Sequence, residues 1–232
     1  MRDACEIGGI HALRLMHDTT ATAVEYGIYK SAKKVFDATA PQHIMFVDLG
    51  HASTSVSVVD FVIGKLVVRS TTFDRNLGGR DFDMAIAKWI ATEFQAKHKD
   101  DPMSTPKTLR KLLVAAEKAK KTLSPAGVTD ASLFIECLMN DIDFPITLSL
   151  EKYEELTKPL LDRLAAPIGA ALRESGMAPA DLTSCEIVGG TSRISAVKRA
   201  ISGVLGLDEV RAAREIVMTA SLITTPMGTA TS

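Results

Sequence analysis

The chain has 232 residues, 46% of them hydrophobic, enough to bury the core of one large domain or two small ones. Lys and Arg total 27 against 28 Asp and Glu. That near-neutral balance excludes any general electrostatic argument for nucleic acid or an anionic membrane as partner.

Residues 4–30 carry apolar positions at mixed helical spacing, interrupted by Gly8-Gly9. No charged, apolar and small-residue leader precedes them, and no apolar run in the chain reaches membrane-spanning length. A soluble cytoplasmic protein is expected. A helix this apolar needs a surface to pack on, so preceding sequence is expected to be missing. Three β-rich runs follow at 44–49, 54–62 and 65–73, the last two separated by Ile63-Gly64, a connection suited to an antiparallel hairpin. "LGGRDFD", 77–83, opens a helix with Phe82, Ile86, Trp89, Ile90 and Phe94 on one face. After "KHKDDPMSTP", Thr105 and Pro106 read as N-cap and first residue of a helix with Leu109, Leu112, Leu113, Ala116 and Leu123 inward.

Strands are expected at 132–138 and 142–148, joined through Met139-Asn140-Asp141. Ser149 then caps a helical stretch in which Leu156, Leu160, Leu164, Ile168 and Leu172 recur at four-residue steps, and Pro159 and Pro167 should kink or divide it. "CEIVGG", 185–190, reads as a short buried strand ending in a diglycine, and the following helix closes at Gly206. The Ser/Thr-rich end, "TASLITTPMGTATS", shows no periodicity and is expected to be disordered. The order is β-β-β-α, an inserted α-β-β, then α-β-α, which predicts an α/β layer fold with an insertion.

Candidate chemistry centres on the loops. Asp48 ends an apolar run in "VDLGHASTSVSVVD", a place suited to holding Mg²⁺ through water, although from this segment alone an Asp in a hairpin bend is the favoured reading. Gly78-Gly79 before a helix can present free N–H groups to an anion or simply make a sharp turn. Gly189-Gly190, between a strand and a helix, is the better place for backbone to approach a nucleotide. Glu117 and Lys121 are spaced as an ion pair on a solvated helix face, and Arg193 can stack on a purine. Cys5, Cys137 and Cys185 stand far apart without metal-ligand spacing and read as small core residues of a protein in a reducing compartment. The five histidines show no paired metal spacing, and no nucleophilic triad stands out.

"LRLMHDTTATAVEYGIYK", "FVDLGHASTSVSV", "LGGRDFD", "AEKAKKTLS" and "EIVGGTSRISAVK" occur in the order of motifs of one known domain. The chain resembles the second lobe of the nucleotide-binding domain of the seventy-kilodalton heat-shock chaperones, of the actin, hexokinase and heat-shock superfamily. The match runs from about residue 4 to about 210. "DLGH" in place of a triple glycine, Arg80 in place of Glu, and "CLMNDIDF" point to the one-hundred-and-ten-kilodalton branch.

The resemblance implies an α/β, ribonuclease-H-like ATPase lobe with an inserted α+β subdomain. It implies ATP or ADP as ligand with Mg²⁺ weak or absent, and a seventy-kilodalton chaperone as partner. Asp18 matches a carboxylate on the metal and water side. Asp48, Gly50, His51, Ala52 and Ser53 match the second phosphate loop, and Gly79 matches the diglycine near the phosphates. Glu117, Lys120, Lys121 and Ser124 match the helix lining the adenosine pocket. Gly189, Gly190, Thr191 and Arg193 match the adenosine loop. Two of the loop's three glycines are replaced, and Ser55 stands where the ordinary family has Asp. The opening stretch thus resembles a degraded phosphate loop. Because phosphoryl transfer depends on positioning and electrostatics, poor hydrolysis is expected.

The first phosphate loop and its lysine have no counterpart in the chain. The expected organisation is residues 1–43 as a connection from the first lobe, 44–80 with 156–206 as base, 81–155 as outer subdomain, and 207–232 as a divergent tail. A non-enzymatic interaction or oligomerisation fragment is the rival, and a fully competent ordinary chaperone lobe is a third reading. An apolar patch of Ala12, Leu13, Leu15, Met16, Val24 and Tyr26 is expected to drive association with a second copy.

Overall fold

The computed structural model describes residues 1–33, 36, 40–125 and 127–207, and the backbone of 211–212. A mixed sheet in the order β3-β2-β1-β6-β7 organises the chain, built from β1 (Gln42–Leu49), β2 (Thr54–Val62), β3 (Lys65–Asp74), β6 (Ser184–Val188) and β7 (Arg211–Ala212). β1 pairs antiparallel with β2 and parallel with β6.

The central strand is apolar on both faces because both faces are covered. Met45, Val47 and Leu49 of β1 enter the main core, while the alternating Ile44 and Phe46 enter a second cluster with Ala23, Tyr26, Val59 and Phe61. α2 (Asp18–Ala32) closes that second face. Tyr26 sets its ring edge-on to Phe46 at 5.2 Å and reaches Glu186 Oε1 at 3.3 Å. Tyr26 is therefore buried, contrary to the expected exposed patch. The 4–30 segment is also not one helix. α1 (Arg2–Ile7) ends at Gly8, and 11–17 run without regular structure before α2.

The opposite face carries α6 (Ala165–Ser175) and α7 (Ser195–Leu205). Ser70 Oγ donates to Ala171 O at 2.8 Å and Thr72 Oγ1 to Pro167 O at 2.7 Å, so β3 is tied to α6 by side chains as well as by packing. Between β3 and α6 lies the inserted piece, with α3 (Gly79–His98), α4 (Pro106–Leu123), and the hairpin of β4 (Asp130–Met139) and β5 (Ile142–Ser149). Phe82, Ile86, Ile90 and Phe94 on α3 are all fully buried. Each such side chain contributes roughly 1.5–3 kcal/mol, well beyond any helix propensity.

Local signals behave as the residues predict. Thr105 Oγ1 accepts from Thr108 N at 3.3 Å with Pro106 at the first helical position, and Ser149 Oγ accepts from Lys152 N at 3.2 Å. Asn140 and Asp141 both take positive φ in the β4–β5 turn, the conformation a tight hairpin requires. Pro159 is accommodated within α5 (Leu150–Asp162), whereas the helix divides after Asp162 and resumes with Pro167 in the first turn of α6.

Two expectations change here. The sequence places the start of a divergent tail at 207, yet Leu207 packs on the core and Arg211–Ala212 adds to the sheet beside β6. Residues 213–232 lie outside the described residues. Of the cysteines expected in the core, only Cys185 is buried, whereas Cys5 is half-buried and Cys137 exposed. Burial, with Glu186 adjacent, pushes the Cys185 thiol up to about 12. A thiol reagent is thus expected to label Cys137 rapidly and to leave Cys185 untouched until the chain unfolds, which mass spectrometry of the labelled peptides reads directly. Among the described residues no helix is long and apolar enough to cross a membrane.

Candidate functional site

The loops at the C-terminal ends of β1 and β6 meet the start of α3 at one point. Gly50 N bonds Ser53 O at 3.0 Å and closes the β1–β2 turn. The N–H groups of His51, Ala52 and Ser53 donate no hydrogen bond among the described residues, so they remain available to an anion.

The diglycine does something else. Gly79 N donates to Gly50 O and Arg80 N to His51 O, each at 2.9 Å, while Gly78 N donates to Asp81 Oδ2 at 2.8 Å. The N–H groups expected to be free for a phosphate are committed to holding the 50–51 turn against α3. Gly78 is a glycine for the same reason, since a Cβ there would stand 2.5 Å from His51 O.

Gly189 closes the same junction from β6. Its φ of 89° and a Cβ position 2.4 Å from Leu49 O both demand glycine. Thr191 Oγ1 donates to Gly50 O at 2.9 Å. Gly190, by contrast, has no atom of a described residue other than its chain neighbours within 4 Å of where a Cβ would be, and it opens on a cleft.

That cleft encloses about 650 Å³ and is lined by His51, Gly79, Glu117, Lys120, Lys121, Ser124, Pro125, Gly190, Thr191, Arg193 and Ile194. Most of the residues singled out from sequence therefore share one cavity. Asp18, Asp48, Gly50, Ala52, Ser53 and Gly189 do not line it.

Lys120 is on the wall, but its ammonium is already engaged. Nζ donates to Asp83 Oδ2 at 2.9 Å and to Gly79 O at 3.1 Å, and lies 2.7 Å from Asp83 Oδ1 without hydrogen-bond alignment. Burial pushes the Asp83 carboxyl above its usual range, and Lys120 opposes that shift. Lys120 thus holds the wall together rather than reaching into the cavity. Lys121 and Glu117 pair at 2.7 Å on the exposed face, which holds the Glu117 carboxyl below its usual range. Ser124 Oγ donates to Lys120 O at 2.7 Å, leaving its lone pairs toward the cleft as acceptors.

Asp48 and Asp18, the two carboxylates singled out for a metal, interact electrostatically outside the cleft lining. Burial raises the Asp48 carboxyl above 3.8, and the charge of Asp18 raises it further. Ser55 stands directly opposite Asp48 in the β1–β2 ladder, so a carboxylate at 55 would have completed a group on one face of the hairpin. Among the described residues no cluster of three or more His, Cys, Asp and Glu side chains could hold a metal. Two carboxylates that repel each other suit Mg²⁺ held through water, and they suit it weakly.

The direction of the shift sets the sign of the pH effect. Folding raises the Asp48 pKa, so the folded state binds more protons between the unfolded and folded values, and its penalty is full above the folded one. Asp48→Asn is expected to raise the melting temperature of the metal-free chain at pH 7, with the gain vanishing as pH falls toward the unfolded carboxyl value. Wild type alone should gain stability from millimolar Mg²⁺. An equal response in both proteins would remove the pair from the site.

Sequence reasoning missed Asp83 and Tyr153. Asp83 lies one turn after Gly79 on α3, a spacing that could have marked it as facing the same wall. Tyr153 carries a buried hydroxyl without a hydrogen-bond partner among the described residues, and burial with Asp83 nearby pushes its phenol above the usual range. No local signal could have marked it.

A mixed sheet with a parallel β1–β6 pair, glycine loops at those strand ends and an inserted α+β piece define the lobe of an actin-like, ribonuclease-H-like ATPase. Residues 1–215 match the family described as Hsp70 protein. The chain is 41% identical over 204 residues to a heat shock protein homolog of Saccharomyces cerevisiae, covering 88% of this chain and 29% of that protein. It is 43% identical over 202 residues to heat shock 70 kDa protein 16 of Arabidopsis thaliana, covering 87% of this chain and 26% of the relative. With the 97 kDa heat shock protein of Mesocentrotus franciscanus it shares 42% over 201 residues, 87% of this chain and 22% of the relative. The chain belongs to the Hsp70 family, on its one-hundred-and-ten-kilodalton branch. It spans less than a third of the length of these relatives.

Proposed function

We propose that the chain is an ATP/ADP-binding lobe of a heat-shock chaperone and holds its nucleotide chiefly from the adenosine side. One observation carries this: the cleft that gathers Glu117, Lys121, Ser124, Gly190 and Arg193 around a nucleotide-sized space. Gly190 offers open backbone to the ligand, Arg193 a planar cation for the base, and Ser124 and Glu117 acceptors for hydroxyl groups. The free N–H groups of 51–53 are the remaining phosphate donors. Bound Mg²⁺ would supply charge neutralisation beside Asp48 and Asp18. With the diglycine amides committed and Ser55 in place of a carboxylate, positioning for hydrolysis is poor. The division into a base built on the five-stranded sheet and an outer subdomain carrying β4–β5 belongs to this reading, supported by the two separate sheets. A role as exchange factor and holdase beside a seventy-kilodalton chaperone, in the cytoplasm, is proposed for the longer protein on family grounds.

Calorimetry with ADP tests it. The chain is expected to bind ADP, and Arg193→Ala to weaken binding several-fold to tens of fold, as a stacked guanidinium contributes about 0.5–2 kcal/mol. ATP turnover should not exceed background. Unchanged ADP affinity in the variant, or turnover abolished by Asp48→Asn, would overturn the assignment.

A second reading, an association module, rests on the exposed apolar stretch of Leu13, Leu15 and Met16, at 66%, 46% and 53% exposure, with Ile28 and Tyr29 beyond it. Sedimentation is expected to show a dimer at tens of micromolar. A clean monomer with residues 10–28 protected from proteolysis would defeat this reading.

A further inference from the structure

We propose that the groove between α4 and the outer edge of β4 docks an extended acidic segment of a partner protein as an added strand. The site is separate from the nucleotide cleft and does not depend on it. Among the described residues the sheet of β4 and β5 has two strands, so one edge of β4 has no partner strand.

The register shows which groups face that edge. Phe134 stands opposite Pro145 and Ser132 opposite Thr147. Proline has no N–H to exchange, so Ser132 and Phe134 occupy non-hydrogen-bonded positions and turn their own N–H and C=O groups away from β5. The close hydroxyls of Ser132 and Thr147, 3.4 Å apart, fit the shorter spacing of such pairs. Lys111 Nζ, on α4, donates to Glu136 O at 3.1 Å and Cys137 O at 2.6 Å, which sets this same edge against the helix.

Helix and edge leave a groove of about 900 Å³ between them. Lys107, Arg110, Val114 and Lys118 recur along one face of α4 to form its far wall. Lys107, Arg110 and Lys118 make no ion pair among the described residues, and Glu136 is the acidic residue on the rim. Val114 and Phe134 are 63% and 60% exposed at the groove, ready to take an apolar side chain. A strand edge beside a helix supplies backbone bonds for attachment, and the flanking side chains supply selection. Here the selection is for carboxylates around an apolar residue. A second copy is disfavoured as occupant because edge-to-edge pairing would set these cations against their own kind.

The test uses the whole chain and a short fluorescent peptide alternating Glu with Val. Polarisation is expected to show binding that weakens about tenfold in Arg110→Glu/Lys118→Glu, the size of one unit in log affinity, and that falls with added salt. A Lys-for-Glu peptide should not bind, and neither should a Glu/Val peptide N-methylated on alternate residues, which cannot form the ladder. Amide resonances of Ser132 and Phe134 should shift on titration. Both substituted residues are exposed, and circular dichroism checks that the variant folds. No binding by the Glu/Val peptide overturns the proposal. So does equal binding of the N-methylated peptide, which would mean charge attraction without an added strand. Self-association abolished by the same charge reversal would make a second copy the occupant, and the proposal would fall.

Discussion

Lys120→Met is expected to destabilise the chain by about 3–5 kcal/mol, the usual cost of leaving one partner of a buried ion pair uncompensated. The side chains of Lys120 and Asp83 are 11% and 8% exposed, so little water reaches the carboxylate that the lost ammonium leaves behind. The same substitution frees Gly79 O, which Lys120 also holds. Such a loss is a large part of a typical domain's total stability of about 5–15 kcal/mol. The effect depends on pH with a definite sign. Asp83 already has a raised carboxyl pKa, and loss of Lys120 removes the cation that lowers it. The penalty in the variant is full above the folded-state pKa of Asp83 and shrinks as pH falls toward the unfolded value, where the carboxyl takes a proton in both states. Urea denaturation across that range measures it. Adding Asp83→Leu should restore most of the lost stability by removing the stranded charge. A single variant as stable as wild type at pH 7 would show that the pair is open to water and not part of the wall.

Gly189→Ala is expected to cost about 3 kcal/mol or more and to abolish ADP binding. The φ of 89° with ψ of 155° lies in a region that only glycine occupies without strain, about 1–3 kcal/mol by itself. The added methyl would also lie 2.4 Å from Leu49 O, a backbone atom, and 2.6 Å from Asp48 Oδ1, on a short side chain. Relief requires β1 and β6 to separate at the end where the cleft opens, so stability and ligand binding fall together. Gly190→Ala provides the contrast. With nothing near its Cβ position it should fold normally, and its effect should appear in ligand affinity alone. Thermal unfolding and calorimetry on the two variants check this, and equal stability loss in both would contradict the packing described.

From β1 to α7 the helices and strands and their order are legible in the residues alone. Apolar spacing suffices for α3 and α4, whose buried faces repeat through Phe82, Ile86, Ile90 and Phe94 and through Leu112, Ala116 and Leu123. Thr105, Ser149 and Gly206 mark helix ends because capping is a local matter of one side chain or one backbone angle. Ordered motifs place the chain in its family, and most of the site residues implied by them line one cleft.

Which groups remain available is instead settled by the assembled fold. The Gly78-Gly79 amides read as free because a dipeptide before a helix normally leaves its first N–H groups unpaired. Yet the carbonyls of Gly50 and His51, distant in sequence, take the N–H groups of Gly79 and Arg80. Lys120 reads as a pocket lysine until Asp83, 37 residues away, claims its charge. Tyr26 reads as exposed because helical spacing cannot show that the sheet has a second covered face, formed by Phe46 and Phe61. Periodicity and caps are set by neighbours within one turn of helix or one hairpin, so a sequence contains them outright. Which carbonyl satisfies which donor, and which cation meets which buried carboxylate, depends on strands and helices packed against each other from remote parts of the chain.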